Sequence, residues 1–571
     1  MDNDQTINTL ILKHVLINAY QHKGKAHSGA IISRIIGEKP SLKNNINELI
    51  PVIEKHINEI NSLSVDEQLH RIESDFPESF IQLTSSQNDE RELPSLPNAE
   101  KGNVITRFAP NPNGYLHIGH AKAIIINYEY SKKYEGKFIL RFDDTNPKVI
   151  SSEYYDEIIN NLEWIGIKPD SVSNTSDFID VLYDHALTLL QKQKLYICEC
   201  DQYTVKKNRL SGSECGCRNN SENDLDKWNK LFSDYNENEA IVRYKGNMKS
   251  LNTALRDPTM FRIIDHAHEK LGDKIRLWPS YDFATPVIDS LQNITHALRS
   301  KEFEIRNELH NTILDYLNLK KPLIVSFSRL NIKNTPVSKS LINKLINDGS
   351  IENWSDLRLP TLESLRKRGF KTQSIHDFVT SLGVSTSESE PTWDLLESIN
   401  RKLIDATTKR CFFVSNPVKL FVSKAPKKQI TLRSHPTNDL GNRSIDVDGN
   451  FFIDKADAID LKVDDQMRLM DLYNVKITST LPNLEAIYLD DDHNTLELKK
   501  IHWVNTDSKT LELTILSDLF KNKEFNDQSL IVVNGLAENT LENLHIGETV
   551  QFIRIGFCRI YDKDKAILTH K

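Results

Sequence analysis

Arg107 to Ala123 reads RFAPNPNGYLHIGHAKA, with two prolines, two glycines and two histidines packed into one passage. NVIT before it predicts a short apolar strand, and AKAIIINYEYSKKY after it predicts a helix. Pro110, Pro112 and Gly114 stiffen and bend the connecting loop. Gly119 falls in the first turn of the helix and leaves the backbone bare, so a flat ring or a phosphate can lie against it. Helix N-terminal N–H groups and their dipole favour an anion, to which His117 and His120 would add hydrogen bonds. An isolated His-x-Gly-His also fits a helix start with two surface histidines, so the rest of the chain has to decide between them.

At 571 residues the chain is too long for one core, and two to four domains are expected. A hydrophobic content of 39% with 27% charged residues is that of a globular protein, and no apolar run is long enough to cross a membrane. MDNDQTINTLILKHVLINAY is acidic and then amphipathic, unlike a secretory signal. The formal charge of -8 argues against a uniformly basic surface but leaves room for a basic groove. Six cysteines in such a length make no disulfide scaffold, so a reduced, cytoplasmic protein is expected.

Residues 1–83 carry apolar residues at helical spacing in LILKHVLINAYQH and INELIPVIEKHINEINSL, around a glycine-punctuated turn and short helix. TSSQNDERELPSLPNAEKGN is polar and proline-broken, which places a linker at 84–100. From 101 to 345 strand-like and helix-like runs alternate, the pattern of a parallel α/β domain. WSDLRLPTLESLRKRGF and SIHDFVTSLGV read as helices within 346–410. Short β-rich pieces at barrel-like spacing fill 411–571. Two close cysteine pairs, Cys198-x-Cys200 and Cys215-x-Cys217, are able to surround a zinc ion tetrahedrally and staple a short loop. Cys411 and Cys558 stand alone in strand-like segments and read as packing residues.

RFAPNPNGYLHIGHAKA resembles the HIGH signature of class I aminoacyl-tRNA synthetases, in the form used by the glutamyl and glutaminyl enzymes. Pro336-Val337-Ser338-Lys339-Ser340 resembles the second signature, KMSKS; its first lysine is replaced by Pro336 and its methionine by Val337. The resemblance implies that His117, Gly119, His120, Ser338, Lys339 and Ser340 bind ATP, with His117, His120 and Lys339 catalytic. Mg²⁺ would accompany the nucleotide. FILRFDDTNP resembles the motif whose first acid, here Asp143, receives the α-amino group of the amino acid. LWPSYDFATPVIDSLQNITHALRSKEFEIRNELH resembles the rest of that pocket, with Tyr281 in contact with the substrate.

Arg299 is the discriminating position. Glutamyl enzymes place arginine there, while glutaminyl enzymes commonly have an uncharged residue. A guanidinium pairs bidentately with a γ-carboxylate, whereas an amide leaves its charge desolvated and unpaired, a difference of roughly a hundredfold or more. Arg107 is a second candidate for the substrate carboxylates, although both subfamilies have it. PNGYLHIGHAK, RFDDTNP and VSKS lean toward the glutaminyl style, but RFAPNP lacks the Pro-Pro-Glu common there. The first hundred residues resemble the helical extension of archaeal glutamyl enzymes, which share motifs and barrels with glutaminyl ones.

The implied architecture is a Rossmann-type catalytic core at 101–185 and 279–345, split by an acceptor-end insert at 186–278 that carries the cysteine pairs. An N-terminal helical domain (1–83), a helical connecting domain (346–410) and two anticodon-binding β-barrels (411–571) complete it. The implied activity is attachment of L-glutamate to tRNA(Glu) through glutamyl-adenylate, with a structural zinc, a monomeric state, and activation that needs bound tRNA. Charging of tRNA(Gln) as well is left open by the sequence, and a glutaminyl-tRNA synthetase is the alternative. A noncatalytic RNA-binding paralogue would have no use for His117, His120 and Lys339. A nucleotidyltransferase acting on a small substrate would have none for the β-rich tail.

Overall fold

The computed structural model describes residues 2–21, 24–39, 46–77, 93–220, 223–336, 338–388, 390–492 and 498–571. Val337 and residues 84–92 of the expected linker lie outside these. The chain divides into two compact units, Met1–Glu92 and Leu93–Lys571. No helix among the described residues is long and apolar enough to cross a membrane.

In the first unit, α1 (Asp2–Gln21), α2 (Ser28–Glu38), α3 (Ile46–Ile60) and α4 (Val65–Asp75) enclose a core that includes Ile11, Val15, Leu16, Ile31, Ile35, Ile53, Ile60 and Ile72. These are the apolar positions of the helical period. Ser64 and Glu67 form a reciprocal capping box at the start of α4. The buried Gln68 amide donates to the carbonyls of Ile60, at 2.9 Å, and Leu63, closing the turn between α3 and α4.

The second unit begins with β1 (Ile105–Phe108), α5 (Ile118–Lys133), β2 (Lys137–Phe142) and β3 (Ser171–Asn174), whose strands pair in parallel in the order β1-β2-β3. A four-stranded antiparallel sheet follows, made of β4 (Leu195–Cys198), β5 (Ile241–Tyr244), β6 (Thr259–Ile263) and β7 (Leu277–Pro279). The chain then returns through α6 (Tyr281–Leu291), β8 (His296–Ser300), α7 (Asn307–Leu317) and β9 (Leu323–Phe327), with β8 and β9 parallel. The Thr295 N–H donates to the Ile105 carbonyl at 3.0 Å, which sets β8 beside β1. The chain therefore winds outward in both directions from β1 and β8, and the crevice at this switch point is where open α/β sheets bind ligands.

Downstream, α8 (Lys339–Asn347) precedes three helices at Leu362–Arg368, Thr372–Leu382 and Trp393–Ile404. WSDLRLPTLESLRKRGF is helical only from Leu362. Pro360 disfavours helix before it, and Thr361 caps the new helix by accepting from the Ser364 N–H.

The tail forms two seven-stranded sheets. In one, the edge strands Lys409–Cys411 and Phe413–Val414 are separated by Phe412 alone; in the other, Lys499–Ile501 and Val504–Asn505 are two residues apart. Each sheet therefore curls until its edges meet, and both are barrel-like. Phe412, Phe451, Tyr473 and Trp503 fill one interior, and Phe413, Phe552 and both lone cysteines, Cys411 and Cys558, fill the other.

One fully buried carboxylate joins the two halves of the α/β core. Asp289 on α6 accepts from Arg107 of β1 through Nε at 3.1 Å and Nη2 at 3.1 Å, and from Arg141 Nη2 of β2 at 2.7 Å. Arg141 also donates to Gln292, which reaches Ser173 of β3. Burial acts to raise the Asp289 carboxyl, but Arg107 and Arg141 outweigh it and hold the group well below the usual carboxylate range. Asp289→Asn would take from two buried guanidiniums the carboxylate they share, at a cost of about 3–5 kcal/mol. A clear fall in the melting temperature is expected, and an unchanged melting curve would refute the role given to this carboxylate.

Candidate active site

A cavity of about 650 Å³ opens at the ends of β1, β8 and β9. Arg107, His117, Gly119, His120, Asp143, Tyr281, Arg299 and Ser338 all line it, although they are spread over more than 230 positions of the sequence.

His117 is the N-cap of α5, and its Nδ1 accepts from the Gly119 N–H at 3.1 Å. His120 Nδ1 accepts from the His117 N–H at 3.3 Å. With both Nδ1 atoms acting as acceptors, each ring carries its proton on Nε2. The rings lie 3.9 Å apart. Burial, then the proximity of His120, pushes the His117 imidazole well below its ordinary pKa, and burial alone pushes His120 down to about 4. Both are neutral at neutral pH.

The first N–H groups of α5 are already satisfied. Ile118 donates to the Pro360 carbonyl at 2.9 Å, and His120 to the His117 carbonyl at 2.8 Å. A ligand here therefore meets the helix dipole and the histidine Nε2–H groups rather than free backbone donors. Gly119 is also tighter than its sequence context suggests. A Cβ on it would lie 2.9 Å from His117 Cε1 and 3.0 Å from the Leu330 carbonyl.

The paired acids after β2 divide their work. Asp144 is fully buried and accepts from Tyr155 Oη, Ser176 N and Ser176 Oγ at 2.7–3.0 Å, which makes it structural. Asp143 is only partly covered and lines the cavity. Burial pushes its carboxyl up, while Arg141 pulls it down.

On the opposite wall, Arg299 of β8 is 5% exposed; it donates to Tyr281 Oη at 3.1 Å and to Asn307 Oδ1 at 2.5 Å. Its buried Nε has no hydrogen-bond partner. The other arginines lining the cavity each have a carboxylate: Arg107 has Asp289, Arg306 has Asp282 and Arg329 has Glu302. Among the described residues Arg299 has none. A desolvated charge of this kind calls for an external counter-ion.

Lys339 and Ser340 do not line the cavity. Lys339 begins α8, and its Nζ donates to the Asn113 carbonyl in the loop that leads into α5, so it stands at the rim. Ser338 and Ser340 hydroxyls are 2.9 Å apart. Sequence reasoning missed Lys122, a buried lysine in α5 whose Nζ bonds the Ser328 carbonyl at 2.8 Å and hydroxyl at 3.0 Å, tying the first signature to the strand that leads to the second. It also missed Asp289 and Asn307. An acid inside the apolar run FATPVIDSL was the available signal for Asp289; Asn307 carried none.

The four paired cysteines come together outside this cavity. All their Sγ atoms lie within 4.8 Å of one another, with Cys198–Cys215 at 3.9 Å and Cys200–Cys217 at 3.8 Å. A tetrahedron with zinc–sulfur bonds of about 2.3 Å has edges of about 3.8 Å, so the donor set fits zinc. Arg243 Nη1, at 3.7 and 3.9 Å from Cys198 and Cys215, offsets thiolate charge.

The buried histidines generate a prediction. In protein labelled at histidine Cε1, the His117 and His120 signals stay unshifted as pH falls from 8 to 6, and the His120 signal moves only toward about 4. A midpoint near 6.5 would refute the neutral assignment. Below about 6.5 the unfolded chain takes up protons that the folded site refuses, so these two residues lower stability as pH falls from there toward about 4.

The model of the class I (E and Q) tRNA synthetase catalytic domain matches residues 103–406, and two models of the anticodon-binding domain of that family match 408–489 and 500–561. A glutamate–tRNA ligase of Nitrosopumilus maritimus is 41% identical over all of both chains. Its counterpart from Cenarchaeum symbiosum is 38% identical over 98% of each, and that from Pyrococcus furiosus is 38% identical over 99% of this chain and 100% of its own. This chain belongs to the E and Q family of class I tRNA synthetases.

Proposed function

We infer that the chain is a glutamate–tRNA ligase of the archaeal type, which uses ATP to attach L-glutamate to tRNA(Glu). The observation that carries the choice of glutamate is Arg299, a desolvated guanidinium in the cavity wall without a carboxylate partner among the described residues. Whole-length relatives that bear this name support it.

In this reading His117 and His120 donate from Nε2 to the nucleotide as neutral groups, and Gly119 keeps His117 in place. The helix dipole and Ser338 add to the same end of the cavity. Asp143 receives the α-ammonium of glutamate, and Arg299 its γ-carboxylate with Tyr281 alongside. Arg107, though paired with Asp289, adds positive potential at the pocket base. Glutamate's α-carboxylate attacks the α-phosphorus of ATP, pyrophosphate leaves, and glutamyl-adenylate forms. Lys339 at the rim places a mobile positive charge on the departing pyrophosphate. The terminal ribose hydroxyl of tRNA then attacks the acyl carbon and AMP leaves. Mg²⁺ arrives with ATP and neutralises phosphate charge. Residues 186–278 serve the acceptor end, stapled by zinc held by Cys198, Cys200, Cys215 and Cys217, and the two sheets of 411–571 read the anticodon.

Three measurements test this. Glutamate and glutamine are each offered to tRNA(Glu) and tRNA(Gln) transcripts: glutamate is charged, and charging of glutamine instead refutes the argument from Arg299. Arg299→Cys raises the KM for glutamate about a hundredfold with ATP binding intact, and normal glutamate kinetics would remove Arg299 from the pocket. Elemental analysis finds about one zinc per chain; less than half an equivalent rules out the four-thiolate site.

A further inference from the structure

We propose that Asn307 is a specificity-determining positioning residue, which orients the Arg299 guanidinium while leaving its charge free for the substrate. This rests on the reading of Arg299 as the seat of the γ-carboxylate. Asn307 is the first residue of α7 and is not among the cavity-lining residues; it meets Arg299 from behind, through Oδ1. Tyr281 Oη accepts from the other terminal nitrogen at 3.1 Å. Two neutral acceptors therefore fix the fork in direction.

The choice of an amide is chemically pointed. An aspartate at 307 has the same shape and would accept a stronger, charge-assisted bond from the same nitrogen. It would also supply Arg299 with an internal counter-ion, as Asp282 does for Arg306 and Asp289 for Arg107. A guanidinium paired in that way offers an incoming carboxylate much less, and an incoming amide is penalised less for its missing charge. Asn307 thus satisfies one buried donor without cancelling the charge that separates glutamate from glutamine.

N307D and N307A, made in the full chain, distinguish this role from that of a structural spacer. Under the proposal N307D, which keeps the acceptor and adds a charge, raises the KM for glutamate about thirtyfold or more and narrows the preference for glutamate over glutamine. The KM for ATP stays within about twofold of wild type, as expected for a residue that does not line the cavity. N307A, which loses the acceptor but keeps the free charge, raises the glutamate KM by about three- to tenfold. A spacer gives the opposite order, with N307D benign and N307A the more damaging, and that order overturns the proposal. Should one variant fail to fold, the other decides alone: N307D with a wild-type glutamate KM, or N307A with a loss equal to that of Arg299→Cys, overturns it. Failure of the underlying reading is separate, since wild-type protein would then not charge glutamate at all.

Discussion

Asp289 holds two guanidiniums from neighbouring strands, and the site depends on that triple contact. Arg107 leads from β1 into the histidine loop, Arg141 leads from β2 into the paired acids, and Asp289 rides on the helix that runs into the Arg299 strand. A single buried carboxylate thus fixes the relative positions of three of the segments that supply the cavity. Two cations against one anion leave an excess positive charge at its base, and Arg299 adds another. Under the proposed function, a dicarboxylate with one ammonium is the guest that complements this charge, its amino end meeting Asp143.

The end of the cavity proposed to take the nucleotide works differently. The histidines do not bring charge, because burial keeps them neutral; they bring Nε2 donors whose direction is set by backbone bonds at Nδ1. Preorganised neutral donors avoid the desolvation cost of a buried cation, yet still stabilise charge that grows on phosphate during reaction. In the proposed reaction positive charge comes from Lys339, which is exposed at the rim, where water lowers the cost of keeping it.

Much of this was legible in the sequence because the chemistry is concentrated in short segments. The strand, bent loop and helix around His117 follow from proline, glycine and apolar period alone, and the cysteine spacing anticipated four sulfurs gathered within 4.8 Å of one another. What stayed hidden shares a physical cause: contacts between segments far apart in the chain. Nothing near Asp143 and Asp144 tells which acid is structural; that is decided by Tyr155 and Ser176 reaching back over Asp144. Asn307 looks like any helix-start asparagine until the fold sets it behind Arg299. Trp503 and Tyr473, aromatics of the kind that stack on unpaired bases, are core residues, and strand alternation alone does not distinguish the two uses.

The way each tail sheet closes, by a hop of one or two residues between its first and last strands, has a further consequence. An open sheet of seven strands exposes two rows of unpaired amides and carbonyls, to which any extended chain can add. Here one short bent stretch of chain supplies both edges of each sheet, and the Lys409–Cys411 edge is partly covered, with the Arg410 N–H donating to the Ser434 carbonyl at 2.7 Å. A surface made to handle long, flexible nucleic acid is thereby built without ragged borders, and the crowded cell offers it few chances to recruit strands from unfolded neighbours.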